Sequence, residues 1–140
     1  FNDHFIGRIN VSTSKVEYLQ VPVQVVREAN KETVSWDKAT ENDVKNSDGF
    51  VVCQDRRAKL SGWGHVSAPS PIVVGDHLYV PTMIGMVYVI RWNTSELDDS
   101  ALVSISDLGP AGKTWTLSSL SYADGKLYAR TLKELICVGE

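Results

Sequence analysis

The chain has 140 residues, enough for one ordinary domain with a real core, and 43% of them are hydrophobic, the share of a globular protein. Its net charge of −3 and pI near 5.6 come from dispersed charges, which leaves no basic stripe for nucleic acid or an anionic membrane. No stretch approaches the roughly 20 continuous apolar residues of a membrane helix, and the first residues, FNDHFIGRIN, lack the charged-then-apolar plan of a signal peptide. The chain starts without Met, in what reads as the middle of a strand, so a processed or truncated parent is expected and any targeting signal would be lost with it.

Residues 5–11 (FIGRINV) and 16–26 (VEYLQVPVQVV) read as two strands joined by the polar turn at 12–15. Pro22 cannot donate to a ladder, so the second strand lies at an edge or ends there. From 27 to 48 the pattern breaks: charges dominate, Gly and Pro are absent, and no period persists. This segment is expected to be an insertion or decorated loop with one helical turn, with Trp36 as its one candidate anchor for a partner or a loop. Asn46, Asp48, Gly49 and Asp55 echo a calcium loop, but Val44 stands at the first ligand position and Asp55 where a bidentate Glu is required.

Residues 49–54 (GFVVCQ) resemble 85–90 (GMVYVI) and are expected to form a third strand of their own unit, after which 55–63 leads outward and Gly62-Trp63-Gly64-His65 returns the chain. A lone GxG outside a strand-to-helix turn is no phosphate loop. The run 67–90 then reads as a complete antiparallel meander of three apolar strands, Ile72–Val74, 78–80 and 86–90, broken by Gly75-Asp76 and by the 81–85 turn. The polar connector 91–100 offers Ser95-Glu96-Leu97-Asp98 as a cap for one helical turn. Residues 101–108 (ALVSISDL) alternate at period two, as a half-exposed outer strand should. After the break at 109–112, strands are expected at 121–123, 127–130 and 135–138, with Asp124-Gly125 as a tight hairpin turn.

The meander repeats. A shift of 49 residues lays 120–138 over 71–89, placing Leu127-Tyr128 on Leu78-Tyr79, Thr131 on Thr82, and Ile136-Cys137-Val138 on Val87-Tyr88-Val89. Cys53 and Cys137 each sit in an apolar run without a CxxC or a neighbouring His, so they read as buried free thiols; the overlays point them to opposite sheet faces, against a disulfide.

The plan of Pro71-Ile-Val-Val-Gly-Asp-His-Leu-Tyr-Val, a Gly-started strand at Gly85 and a further outer strand resembles one blade of the quinoprotein-like (PQQ-like) β-propeller repeat family. Residues 7–18 (GRINVSTSKVEY) are similar to that family's inner-to-outer segment, with Ser14 in place of the usual turn glycine and Tyr18 in place of the usual tryptophan. The resemblance implies an all-β fold of four-stranded antiparallel meanders, an incomplete ring of about three blades where closed propellers have about 4–8. The expected division is the outer half of a blade at 1–26, an insertion at 27–48, a blade remainder at 49–66, a full blade at 67–108 and a last blade at 113–140 lacking its outer strand. A blade is apolar on both faces and unstable alone, so the remaining blades of a parent protein, or another chain, are the expected partners. A parent N-terminal segment would supply the missing strand. The resemblance also implies a bacterial, periplasmic or extracellular protein.

In such a meander the segment leading into each inner strand and the turn between the second and third strands emerge on one face near the axis. That geometry selects His65, Ser67, Thr82, Trp115, Thr116, Arg130 and Lys133 as the lining of a shallow funnel for a protein or small polar ligand. For Trp115 packing between blades, and for His65 a bond to backbone, are the competing roles. Catalytic signatures are missing from the sequence: there is no HExxH, GxSxG, Walker motif or grouped His/Cys set. His65 and Ser67 share a strand face but lack an orienting acid. Glu96, Asp98 and Asp99 read as a solvated acidic turn rather than a cation site, and Asn10 and Asn93 match glycosylation triplets at positions where chance matches are common. The expected function is therefore non-catalytic binding or scaffolding, with no cofactor. The alternative is a fragment of a PQQ-dependent dehydrogenase, or of another propeller enzyme with its active site elsewhere. The dehydrogenases would need adjacent cysteines and a metal-held carboxylate, whereas this chain has no adjacent cysteines and only Glu134 as an acid in the inner-face segments.

Overall fold

A computed structural model describes residues 5–28, 31–60 and 67–139. Among them the chain is all-β: four small antiparallel sheets, two 3-10 turns and no α-helix. The largest sheet contains β5 (Ile72–Val74), β6 (His77–Pro81), β7 (Met86–Arg91) and β8 (Leu102–Asp107), hydrogen-bonded in chain order. Gly75 turns the first hairpin at φ +57°. At the second turn the Thr82 N–H donates to the Met86 carbonyl (2.8 Å) and Thr82 Oγ1 accepts from the Met86 N–H (3.0 Å). A register shift between Val89 and Ile90 leaves Val103 of β8 as the extra residue of a bulge, which bends β8 where it joins β7.

The repeat is visible in the second sheet, β9 (Ser121–Ala123), β10 (Lys126–Arg130) and β11 (Leu135–Val138), again in chain order. Asp124 and Gly125 take φ +49° and +77°, the two positive values of a type I′ hairpin. Thr131 closes a turn one residue shorter than that of Thr82, donating its N–H to the Glu134 carbonyl (2.9 Å), while its hydroxyl accepts from the Lys133 and Glu134 N–H groups (both 3.1 Å).

Toward the N-terminus, β1 (Phe5–Ile9) pairs with β2 (Val16–Gln20) across a turn in which Asn10 Oδ1 accepts from the Ser12 and Thr13 N–H groups. The strand expected over 16–26 stops at Gln20, two residues before Pro22, and pairing resumes in β3 (Gln24–Glu28) with β4 (Lys31–Ser35). The expected loop with a helical turn at 27–48 is thus corrected: its first part is the arm of a hairpin. Opposite charges face each other there, Arg27 with Glu32 (2.8 Å) and Glu28 with Lys31, and buried Val25 anchors the base. Arg27 also pairs with Asp107 at the end of β8.

A second correction concerns 49–54, expected as a strand. Only Val51 bridges, to Lys45, and Phe50 (69% exposed), Val51 and Val52 lie open because no strand among the described residues covers them. The helical cap expected at 95–98 falls slightly later, where Asp98 Oδ1 accepts from the Ser100 N–H and caps the 3-10 turn Asp99–Ala101. Both cysteines are free, but Cys137 is exposed on outer strand β11 and Cys53 is half-buried, so the expectation of two buried thiols fails.

The core follows from the two-residue period of the large sheet. Met86, Tyr88 and Ile90 of β7, with Leu78 and Val80 of β6, join a cluster with Ile6, Leu19, Val21, Val23 and Val25. Val87 and Tyr79, on the opposite face, join Leu120, which precedes β9, and Ala129 and Ile136 of the second sheet. The buried Tyr88 hydroxyl donates to the Pro22 carbonyl (2.5 Å), and burial raises its pKa well above that of an exposed phenol. Each buried side chain of this size contributes about 1.5–3 kcal/mol, so β7 is stabilised from both directions. Arg8 ties β1 to the 91–100 connector through the Thr94 carbonyl (2.8 Å) and to β2 through Glu17 (2.6 Å).

Candidate functional site

The segment leading into β9 starts at Gly112, whose φ of +74° and close approach to Thr40 and the Glu41 carbonyl leave no room for a side chain. Its carbonyl accepts from the Asp43 N–H (3.1 Å), and Lys113 Nζ reaches Asp43 Oδ2 (2.7 Å). This contact, with burial opposing it and Lys133 adding a smaller effect, holds the Asp43 carboxyl below its usual pKa. Asn42, 1% exposed, donates through Nδ2 to the Thr114 carbonyl (2.5 Å) and accepts through Oδ1 from the Val44 N–H (3.0 Å). The charged stretch after β4 is therefore a brace for the lead-in segment, a role its polar sequence does not announce.

The segment then threads between the two threonine turns. The Thr116 N–H donates to the Met83 carbonyl (2.9 Å) and the Leu132 N–H donates to the Trp115 carbonyl (3.0 Å). The Thr116 hydroxyl donates to the Arg130 carbonyl (2.5 Å) and accepts from the Ser118 N–H (3.0 Å). A cavity of about 430 Å³ opens here, lined by Val52, Cys53, Trp115, Thr116, Leu117, Ser118, Arg130, Thr131 and Leu132. Arg130 is its one charged lining residue among those described. Trp115 is 1% exposed, yet its Nε1–H has no acceptor among the described residues. Such an orphaned donor costs about 1–3 kcal/mol until something accepts from it.

Three of the residues expected on the funnel, Trp115, Thr116 and Arg130, thus line one cavity. Thr82 is buried and its hydroxyl is spent on its own turn. Lys133 is half-buried on the same turn as Thr131 but does not line the cavity, and Ser67 is half-buried away from it. His65 lies outside the described residues. Sequence reasoning missed Ser118, Thr131 and Cys53 as lining residues; the 49-residue overlay of Thr131 on Thr82 was the available signal for one of them.

A second cavity, of about 420 Å³, lies between the large sheet and β9–β11, with Tyr79, Val87, Val89, Val103, Leu127 and Val138 among its walls. It is dominated by apolar side chains and differs in kind from the recess beside Trp115. Among the described residues no group of three or more His, Cys, Asp or Glu side chains gathers to hold a metal, and no helix is long and apolar enough to cross a membrane. The recess beside Trp115 carries one cation, Arg130, among its described lining residues, which suits an electron-rich ligand. Comparison with protein families, with curated proteins and with solved structures gives no match to this chain.

Proposed function

We propose that the chain is a non-catalytic binding or scaffolding segment of a larger bacterial β-propeller of the PQQ-like type. In this reading β5–β8 is one complete blade, β1–β2 the outer half of the blade before it and β9–β11 the first three strands of the blade after it. The observation that carries the reading is β7, whose alternate residues enter two separate apolar clusters shared with neighbouring sheets on opposite faces. A sheet covered on both faces by further sheets is the packing unit of a ring. Residues 49–60 supply no blade strand beyond the bridge at Val51, so this proposal rests on one full blade with a partial neighbour on each side.

The ring reading also accounts for the apolar cavity. In the complete blade β8 covers the outer edge of β7, whereas among the described residues β11 has β10 alone as a neighbour. An outer strand contributed by the rest of the parent protein would pair with β11 and cover the cavity wall at Val138 and Val103. The lead-in segments and the threonine turns would then face the funnel where ligands or partner proteins bind, outside the cytoplasm.

Sedimentation and chemical unfolding of the isolated chain test this. The expected outcome is self-association or non-cooperative unfolding. A monodisperse 15.5 kDa monomer that unfolds in one cooperative step without a partner would overturn the ring.

A further inference from the structure

We infer that the free edge of β11 and the apolar cavity beside it form a docking site for a single extended strand of the parent protein, one that carries two branched aliphatic side chains on its inner face. The inference rests on the ring reading for the source of that strand, and on the sheets themselves for its chemistry. In the large sheet Val80 pairs with Tyr88 and Tyr88 with Ile105, while Leu78 pairs with Ile90 and Ile90 with Leu102. Leu102 and Ile105 pack on the cluster that holds Ile6 and Leu19 of β1–β2. The outer strand thus helps to fill the space between the first two sheets.

The next interface lacks that filling. In the second sheet Ala129 pairs with Ile136 and Leu127 with Val138, and the rows end there among the described residues. The 49-residue overlay sets Ala129 on Val80 and Leu127 on Leu78, and the shorter Thr131 turn then sets Ile136 at the place of Tyr88 and Val138 at that of Ile90. The next places in these rows are those of Ile105 and Leu102. Here the cavity of about 420 Å³ opens, walled by Val87 and Val103 of the large sheet and by Leu127 and Val138 of the second. It continues the cluster of Val87, Leu120 and Ala129 that already joins the two sheets.

An occupant of this place must meet two demands together: main-chain groups along β11 require hydrogen-bond partners, and the cavity requires apolar side chains. A free apolar ligand meets only the second. An extended strand meets both, and its intervening residues, at the places of Ser104 and Ser106, fall on the other face with Cys137 and Leu135. Asp107, the one acidic residue of the described lining, is already paired with Arg27, so the strand needs no charge on its inner face.

The test adds a synthetic peptide of residues 100–109, SALVSISDLG, with both ends blocked, to the full chain as a stand-in for the parent strand, and follows deuterium uptake. The peptide is expected to slow exchange in Leu135–Val138 about tenfold and to leave the exposed strand Lys31–Ser35 unchanged. A peptide carrying L102Q and I105Q should bind at least about tenfold more weakly, whereas one carrying S104Q and S106Q should act as the native peptide does. Changing the peptide leaves the fold of the chain intact. Uptake in β11 that the native peptide does not alter, or equal losses in the two variants, would overturn the site. Amides of β11 already protected before the peptide is added, and unmoved by it, would assign the edge to a second copy and overturn the parent strand as occupant. Sedimentation of the same samples separates the two readings. A self-associating chain whose β11 ignores the peptide sinks the site alone; a cooperative monomer that binds the peptide sinks the ring, and with it the parent as source.

Discussion

Thr82 and Thr131 show how one residue type closes two turns of different length. In both, the hydroxyl accepts a backbone N–H that would otherwise be orphaned in a tight reversal between paired strands. Gly85 completes the first of these turns under a tighter constraint. Its φ is +85°, and a Cβ there would sit 2.5 Å from Thr114 Cγ2. Gly75 has a similar backbone, φ +57°, with nothing within 4 Å of a Cβ. Both alanine substitutions incur the left-handed penalty, about 1–2 kcal/mol. Only G85A adds a collision with the lead-in segment. Urea midpoints are expected to place G85A below G75A, by an increment that G85A in a T114S background recovers. Equal midpoints would show that Thr114 yields freely.

At the scale of elements, β1–β2 is held to the large sheet by apolar packing and by the Arg8–Glu17 pair on the 91–100 connector. Bonding to Arg8 is the largest influence on the Glu17 carboxyl; burial works against it and Lys15 aids it, and the net result is a pKa below the ordinary 4.5. A carboxyl lowered in the folded state stabilises above its unfolded pKa and loses that contribution as pH falls through the lowered value. Thermal midpoints should therefore drop below about pH 4.5, and R8Q should flatten that part of the profile. A profile unchanged by R8Q would place the acid sensitivity elsewhere, Asp43 beside Lys113 being the next group of the same sign.

The elements also show what the sequence makes legible. Strands β5–β7 and β9–β11 were readable because apolar runs there are bracketed by Gly75-Asp76 and Asp124-Gly125, turn chemistry that is local. The β3–β4 hairpin was not, since Arg27, Glu28, Lys31 and Glu32 pair across an exposed ladder and leave no hydrophobic period. Residues 49–54 misled in the opposite sense: they are apolar, but no strand among the described residues covers them. Their partners are decided by tertiary packing, which a local window does not contain.

For the whole molecule, the exposed strand β11 dominates behaviour. Leu135 is 71% exposed and Val138 55%, on a strand with pairing on one side only among those described. Such an edge is a template for another strand. Concentration-dependent sedimentation is expected for the native sequence, and L135K with V138K should suppress it, because charges on an edge oppose pairing. Self-association unaffected by these substitutions would assign it to another surface. The candidate site was legible to the same extent as the topology. Trp115, Thr116 and Arg130 follow from knowing which turns share a face. The unmet Trp115 donor does not, because it depends on Asn42 and Leu132 fixing the segment across long sequence separations.

The double coverage of β7 also sets a clock. Its amide protons lie in a strand paired on both edges and covered on both faces, so deuterium reaches them only through an opening that disrupts the large sheet and its neighbours at once. Those of β11 exchange through local fraying. Deuterium uptake should therefore be slowest in Met86–Arg91 and fast in Leu135–Val138. The interval between the two measures how far the stacked sheets open as one cooperative unit; similar uptake in both would mean that the large sheet opens independently of its neighbours.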